Sequence, residues 1–299
     1  MFGNNPAAAG QPTLTINIST DKLPAQNDLK GKAAVVVDLQ FTAAGQPLKF
    51  ESKSTTVTVS IPYTLTAEEK AHPELLNVWY VNDKGEAQLV PTGSYNPATS
   101  SIQFSTNHFS TYAVSYNKPA FEDLNATRWA TQAIETLAAK GIIQGVSAQA
   151  FNPTASITRA DFTKLLVETF GLQAIAETRF TDIPKGAYYE KAVNIANKLG
   201  IVNGMDDQHF NPQASITRQD MFVMITRALA QVNKSLPKAN NVTSFTDGAE
   251  ISAYAVEAIQ ALAQQGFVEG SAGKVNPLDN TTRAETAVML HRLFQYIYQ

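Results

Sequence analysis

One short motif occurs three times in the chain and places an arginine close to an acidic residue. Each copy has a threonine, an arginine directly after it, and a carboxylate two positions after the arginine. The threonine and the acid have the spacing of a helix capping box. The arginine falls on the first helical turn, where partial positive charge normally favours acids. A guanidinium beside free backbone N–H groups is a good anion receptor, so the motif predicts three such receptors or three structural latches of the same form. The copies are residues 157–161, 216–220 and 281–285.

The motif belongs to a larger unit that repeats as a whole. Arg159 and Arg218 are 59 positions apart, and so are Phe121 and Phe180, which open Phe-x-Asp segments. The next interval is 65 positions for both features. An overlooked repeat leads to a wrong fold assignment, so the fold of this part of the chain is assigned from the repeated unit.

Each repeat is expected to form a helix, a loop and a second helix. Apolar residues recur at helical spacing in both helices, and a glycine ends the first helix. A second glycine and an Asn-Pro pair follow before the motif opens the second helix. Since two short helices cannot bury an apolar stripe alone, the three units must pack on each other. The first helix is predicted over residues 129–139, 188–199 and 254–265.

The part before the repeats is predicted to be an all-β antiparallel sandwich, because short alternating apolar runs are separated by turn signals. Residues 1–12 are rich in Gly, Pro, Ala and Asn and are expected to be flexible. The chain is therefore multidomain. The predicted segments are a sandwich over 13–117 and repeats over 118–178, 179–243 and 244–299.

Composition excludes several functional classes. The net charge of -3 argues against a nucleic-acid binder, and the absence of cysteine removes disulfides and thiolate metal sites. No apolar run is long enough to span a membrane. The first residues do not have the pattern of a signal peptide, so the leader of an exported protein is expected to lie outside this sequence. No metal, cofactor or hydrolase site is predicted.

The tripeptide His108-Phe109-Ser110 is the one segment with catalytic potential. It resembles the cleavage site of autoproteolytic β-domains, in which the histidine acts as base and the serine attacks the preceding carbonyl. Such chemistry requires a strained turn. The alternative is that Phe109 packs in the core while His108 and Ser110 satisfy the polar groups of a loop. This packing interpretation is preferred, because short motifs transfer poorly between proteins.

The repeats resemble the S-layer homology family in its usual set of three. The resemblance covers about residues 121–295 and rests on the Phe-x-Asp start, the Gly-apolar-apolar-x-Gly loop, the Asn-Pro pair and the Thr-Arg motif, all in the same order. It implies a pseudo-three-fold α-helical spindle that anchors an exported protein, without catalysis, to the secondary polysaccharide of a Gram-positive cell wall. The expected location is extracellular, in the cell wall or S-layer. The sandwich resembles, more loosely, a spacer that precedes such repeats in surface proteins of Paenibacillus-like bacteria.

The resemblance also implies ligand grooves between neighbouring repeats, commonly for pyruvylated N-acetylmannosamine. An arginine fork can hold the ketal carboxylate in a bidentate manner. The second glycine of each loop would allow close backbone approach, and an aromatic residue at the start of the first helix would supply a ring face. Each Phe-x-Asp acid either holds sugar hydroxyls or has a structural role. The candidate residues are Arg159, Arg218, Arg283, Gly145, Gly204, Gly270, Trp129, Tyr188, Tyr254, Asp123, Asp182 and Asp247.

The three sites are not expected to be equal. Aspartate replaces glutamate in the first two motif copies, Thr281 replaces isoleucine in the third, and the three loops differ in sequence. One groove is therefore expected to dominate. A structural alternative is that the repeats drive lattice or oligomer assembly, with other S-layer subunits as partners.

Overall fold

A computed structural model describes residues 13–19, 29, 33–43, 46–48, 51, 56–177, 179–236 and 244–298. The chain forms two compact units. The first contains residues 1–119 together with 139–141, and the second contains residues 120–138 and 142–299. The predicted flexible segment 1–12 lies outside the described residues.

The first unit is built from antiparallel strands in two sheets, as the alternating sequence predicted. One sheet has the order β1-β2-β9-β5-β6 with β3 beside β2, and the other has the order β4-β8-β7. A short helix, α1 (Ala67–Ala71), begins at a capping box of Thr66 and Glu69. The described strands are β1 (Thr13–Ser19), β2 (Ala33–Ala43), β3 (Gln46–Leu48), β4 (Val57–Pro62), β5 (Leu76–Val81), β6 (Ala87–Leu89), β7 (Ser94–Asn96), β8 (Ser101–Thr106) and β9 (Thr111–Tyr116).

Both sheets of the first unit contribute to one apolar core. Val59 of β4 and Phe104 of β8 are buried together with Val37, Val78 and Val114 of the other sheet. The alternation of apolar and polar residues along the strands sends every second side chain to this core. The predicted antiparallel strands of the N-terminal part are therefore confirmed, in two sheets, for the residues that the structure describes.

The second unit is helical, and each repeat supplies two helices, as predicted. The helix that opens each repeat is short, and the Thr-Arg motif begins the second and longer one. Within the described residues, the structure shows no helix that is both long enough and apolar enough to span a membrane. The helices are α2 (Thr131–Ala139), α3 (Arg159–Thr169), α4 (Glu190–Lys198), α5 (Arg218–Gln231), α6 (Val256–Gln264) and α7 (Arg283–Tyr298).

The first helix of each repeat ends as the sequence predicted. Gly141, Gly200 and Gly266 have φ values of 72°, 70° and 75°. This left-handed conformation follows a helix most easily at glycine, which has no Cβ. The glycines therefore stop the helices and turn the chain into the loops.

Three backbone hydrogen bonds join the repeats in a closed cycle. The N–H of Ile157 donates to the carbonyl of Thr281, Thr281 donates to Ile216, and Ile216 donates to Ile157, each over 3.1 Å. These residues occupy the same motif position in the three repeats. The third repeat is therefore hydrogen-bonded to the first as well as to the second.

Thr281 leaves one polar atom of this cycle unsatisfied. Its side chain is fully buried, and its hydroxyl has no hydrogen-bond partner among the described residues. An unpaired buried hydroxyl is costly, whereas Ile157 and Ile216 place apolar side chains at the same position.

We expect Thr281→Val to raise the free energy of unfolding by about 1 kcal/mol, because it removes the unpaired hydroxyl at nearly constant volume. Denaturant unfolding of the full chain measures the effect. Thr282→Val is the matched control, because Thr282 Oγ1 accepts from Glu285 N (3.2 Å), and its loss should lower stability by about 1 kcal/mol. A lower stability of Thr281→Val would show that the hydroxyl is satisfied in solution.

Candidate functional site

The three motif threonines cap the second helices, but the capping box is complete only in the third copy. There Glu285 accepts from the backbone N–H of Thr282 over 2.8 Å, and Thr282 accepts from Glu285 N. In all three copies the acid accepts from the threonine hydroxyl, as in Thr158 to Asp161 over 2.8 Å, but only Glu285 also accepts from the threonine N–H. The shorter aspartate explains this difference, because its carboxylate has one methylene less of reach.

The first-turn N–H groups of these helices are not free, so this part of the anion-receptor prediction is wrong. The backbone N–H groups of each arginine and of the residue after it donate to carbonyls of the following repeat in the cycle. The backbone N–H of the acidic residue that comes next donates to the hydroxyl of the threonine cap. The arginine bonds are Arg159 N to Ala214 O (2.8 Å), Arg218 N to Asp279 O (2.9 Å) and Arg283 N to Ala155 O (2.9 Å). The motif backbone therefore joins repeats, and any anion must be held by side chains.

The three arginine side chains make one contact in common. Each Nε donates to the carbonyl that precedes an Asn-Pro pair in the following repeat of the cycle, and two of the guanidinium groups also stack on the ring of that residue. The bonds are Arg159 Nε to Phe210 O (3.3 Å), Arg218 Nε to Val275 O (2.9 Å) and Arg283 Nε to Phe151 O (2.9 Å). These contacts fix each guanidinium at a junction between repeats.

The outer nitrogens of the three arginines have different partners. Arg218 Nη1 lies 3.3 Å from Glu285, and Arg159 Nη1 lies 4.0 Å from Asp220. Arg283 Nη2 donates to the carbonyl of Gln144 over 2.7 Å. Arg283 forms no ion pair with any carboxylate in the described part of the chain. It is therefore the motif arginine without a direct ion pair there, although the negative charges of the more distant Asp161 and Asp123 still stabilise its charged form.

A cavity of about 330 Å³ opens beside Arg283. We call it the first groove. Its wall combines Arg283 of the third repeat, Tyr188 of the second repeat, and the loop and second helix of the first repeat. The lining residues are Ile143, Gln144, Gly145, Val146, Asp161, Lys164, Leu165, Tyr188 and Arg283. Its volume lies at the lower end of the range for small-ligand pockets, about 300–1,000 Å³.

The predicted aromatic residues lie at the surface rather than in the core. Trp129 is 60% exposed, Tyr188 65% and Tyr254 56%. The Tyr188 hydroxyl donates to Asp161, and the Tyr254 hydroxyl donates to Asp220 over 2.7 Å. Partial burial, together with the hydrogen bond to Asp161 and its negative charge, raises the pKa of Tyr188 to about 12. Each tyrosine is thus held at its hydroxyl while more than half of its surface remains exposed.

The second glycine of each loop is required by the loop itself. A Cβ on Gly145 would lie 2.6 Å from the carbonyl of Ala150, and one on Gly270 would lie 2.7 Å from that of Lys274. Gly204 is equally confined, with a Cβ 2.7 Å from the carbonyl of His209. Gly145 also lines the first groove, whereas close approach of a ligand to Gly204 or Gly270 remains a prediction.

The Phe-x-Asp acids bind backbone N–H groups of their own repeats. Each carboxylate accepts from the N–H of the residue before the Asn-Pro pair and from the N–H of its asparagine, at distances of 2.7–3.1 Å. For Asp123 and Asp247, burial opposes ionisation, but these hydrogen bonds outweigh it and lower the pKa. The pairs are Asp123 with Phe151 and Asn152, Asp182 with Phe210 and Asn211, and Asp247 with Val275 and Asn276. This geometry favours the structural role over sugar binding.

We expect Asp247→Ala to lower the free energy of unfolding by about 2–4 kcal/mol, because it leaves the N–H groups of Val275 and Asn276 without their acceptor. Denaturant unfolding at pH 7 measures the loss, and Asp279→Ala is the control at an exposed aspartate. Because folding lowers the pKa of Asp247, its contribution is present above the unfolded pKa of about 3.9 and is lost as the pH falls through the folded value. A difference between wild type and Asp247→Ala that stays constant down to pH 2 would contradict this assignment.

The alternative catalytic tripeptide lies at the start of the last strand of the first unit. The His108 ring packs edge-on against Tyr80 at 4.6 Å, and its Nδ1 lies 3.3 Å from the Tyr112 hydroxyl. The Ser110 carbonyl accepts from Leu39 N over 3.0 Å in the neighbouring strand. These contacts favour the packing interpretation over autoproteolysis. The described residues also contain no cluster of three or more potential metal ligands.

Sequence reasoning did not identify Lys164, Gln144 or Val146 as groove residues. One available signal was the spacing of Asp161 and Lys164, which puts them on one face of α3. The carbonyl of Gln144 and the apolar side chain of Val146 had no such signal, because the loop conformation brings them to the groove.

Comparisons with known proteins support the repeat assignment. The family model of the S-layer homology domain matches residues 120–163, 179–222 and 244–287. The chain is 28% identical to an amylopullulanase of Thermoanaerobacterium thermosulfurigenes over 82% of this chain and 13% of that protein. It is 30% identical to S-layer protein EA1 of Bacillus anthracis and 25% identical to the surface-layer 125 kDa protein of Lysinibacillus sphaericus. Each of these two matches covers 56% of this chain, with 19% and 14% of the respective relative.

The chain thus spans less than a fifth of the length of these relatives. The amylopullulanase match covers more of the chain than the helical unit alone, so it extends into the sheet unit. By its motif order, its helix-loop-helix units and its family match, the helical unit consists of three tandem S-layer homology domains.

Proposed function

We propose that the helical unit anchors a surface protein to the cell wall by binding an acidic wall polysaccharide, without catalysing a reaction. The observation that carries the proposal is the first groove, in which Arg283 faces a cavity without an ion-pair partner among the described residues. A guanidinium in such a position suits a carboxylate, which it can hold through two parallel hydrogen bonds.

The relatives support a role that does not depend on one activity. Their names include both an amylopullulanase and S-layer proteins, so the shared repeats occur with an enzyme as well as with lattice proteins. A module common to such different proteins is best explained by a common location. We therefore infer that this chain acts at the cell surface, outside a Gram-positive cell.

The chemistry of the first groove matches a pyruvylated sugar. A pyruvyl ketal carries a carboxylate for Arg283, the exposed ring of Tyr188 offers a face to the sugar, and Asp161 can accept from sugar hydroxyls. Pyruvylated N-acetylmannosamine is the ligand that this combination supports best. The assignment of Arg159, Arg218 and Trp129 to further ligand sites is part of the same proposal.

Two structural statements belong to the proposal as well. The closed cycle of backbone hydrogen bonds supports an arrangement of the three repeats about a pseudo-three-fold axis. The sheet unit is assigned the role of a spacer, which its two antiparallel sheets permit and which its co-occurrence with the repeats in the amylopullulanase match supports.

Isothermal titration of the full chain with pyruvylated wall polysaccharide tests the proposed function. The expected result is binding that is lost when the pyruvyl groups are removed from the same polysaccharide by mild acid. A variant with Arg159, Arg218 and Arg283 all replaced by alanine should lose binding too. Equal affinity for both polysaccharides, or unchanged affinity in a folded triple variant, would reject the proposal.

A further inference from the structure

The three arginine sites differ in charge, although they derive from one repeated motif. By their positions in the repeats, the residues that correspond to the first groove at the second arginine site are Arg159, Asp220, Tyr254 and Gly204. Those at the third arginine site are Arg218, Glu285, Trp129 and Gly270. The first groove contains the corresponding Arg283, Asp161, Tyr188 and Gly145, together with Lys164.

Lys164 has no counterpart at the other two sites. It lies five residues after the motif arginine, and valine occupies that position in the other repeats, at Val223 and Val288. The Lys164 side chain is 25% exposed, and its ammonium is 2.8 Å from Glu168 one helical turn away. The first groove therefore has two lining cations, of which Lys164 is ion-paired with Glu168, and one lining carboxylate, Asp161.

The third arginine site has a closer ion pair and an acidic residue before its loop glycine. Arg218 is already paired with Glu285 at 3.3 Å. The residue before its loop glycine is Glu269, which is exposed, whereas the first groove has the neutral Gln144 at that position. The second arginine site is intermediate, because Arg159 faces Asp220 at 4.0 Å and Asn203 precedes its glycine. For an anionic ligand, the direct ion pairing of the motif arginines thus favours the first groove, where Arg283 has no ion pair in the described part of the chain, then the second site and then the third.

We infer that the first groove is the principal anion-binding site of the helical unit and that Lys164 is a specificity-determining residue there, selecting a carboxylate-bearing sugar. This inference rests on the proposed function and assigns it to one of three sites. Lys164 supplies a second positive charge to the cavity that Arg283 lines. Glu168 competes for the ammonium and limits its attraction for the ligand.

The test compares four full-length proteins by calorimetric titration with the pyruvylated N-acetylmannosamine monosaccharide. Lys164→Gln is expected to weaken binding about two- to fivefold, as for loss of a partly exposed charge interaction. Lys198→Gln, at an exposed lysine of α4, should leave affinity unchanged. Glu168→Gln should strengthen binding, because it releases the Lys164 ammonium. A merely structural Lys164–Glu168 pair would instead give no change in affinity for either variant.

The possible outcomes separate this inference from the proposed function. If the wild-type protein binds neither the monosaccharide nor the polysaccharide, the proposed function fails and the inference fails with it. If the wild type binds and Lys164→Gln has the same affinity as Lys198→Gln, the inference alone is overturned.

In an Arg283→Gln background, Val288→Lys combined with Glu269→Gln should raise the residual affinity by reversing the charge of the third site. No gain in a folded protein would overturn the charge ranking.

Discussion

Gly204→Ala is expected to destabilise the helical unit by about 3 kcal/mol, although it adds a single methyl group. The new Cβ would lie 2.7 Å from the His209 carbonyl and 2.7 Å from the Phe180 ring. The carbonyl belongs to the loop backbone and cannot rotate away as a flexible side chain would. For a unit of this size, the midpoint of thermal unfolding should fall by roughly 6–12 °C.

Gly248→Ala is the matched control for this prediction. A Cβ on Gly248 would meet no atom within 4 Å, and the residue does not have a left-handed backbone conformation. Its stability should stay within about 0.5 kcal/mol of wild type. Calorimetric unfolding, with the transitions of the two units fitted separately, measures both variants. Equal stability of the two would mean that the loop around Gly204 relaxes freely.

Arg283→Gln is expected to lower affinity for pyruvylated polysaccharide about 10- to 100-fold, the range for loss of charged hydrogen bonds. The variant removes the guanidinium that faces the first groove. Arg179→Gln is the control, because Arg179 is an exposed arginine outside the motif that pairs with Asp207. Titration at two salt concentrations should also show weaker wild-type binding at higher salt, because screening acts on the same charges.

Arg283→Lys separates the charge of Arg283 from its shape and supports the test if Arg283→Gln folds poorly. Lysine keeps the positive charge but cannot form two parallel hydrogen bonds with a carboxylate. Its affinity should fall between wild type and Arg283→Gln. Wild-type affinity in folded Arg283→Gln would show that the polysaccharide does not use the first groove.

The local structure of the repeats could be predicted from sequence because each signal is local. The glycines at 141, 200 and 266 end their helices through their own backbone freedom, and the motif threonines cap theirs. The cycle through Ile157, Ile216 and Thr281 had no such signal. Its hydrogen bonds join distant segments, and a repeated sequence does not specify which repeat follows which in space.

The sequence indicated which residue types the candidate site contains, but not how the three repeats combine to form it. The motif directed attention to the arginines, of which Arg283 lines the first groove, and the residues before the first helices are exposed aromatics. The expectation of free helical N–H groups failed because carbonyls of the following repeat in the cycle compete for them, as at Arg283 with Ala155. The combination of three repeats in one groove depends on tertiary packing and could not be read from the spacing.

The cyclic pairing of the motif backbones has a consequence for how such a module can vary. An open array of repeats can gain or lose a copy at its ends, because each copy contacts its neighbours alone. Here the last copy returns its hydrogen bonds to the first, so deleting any copy breaks two junctions instead of one. Copy number is consequently constrained by geometry. Diversification is left to substitutions within individual copies, such as lysine at 164 against valine at 223 and 288.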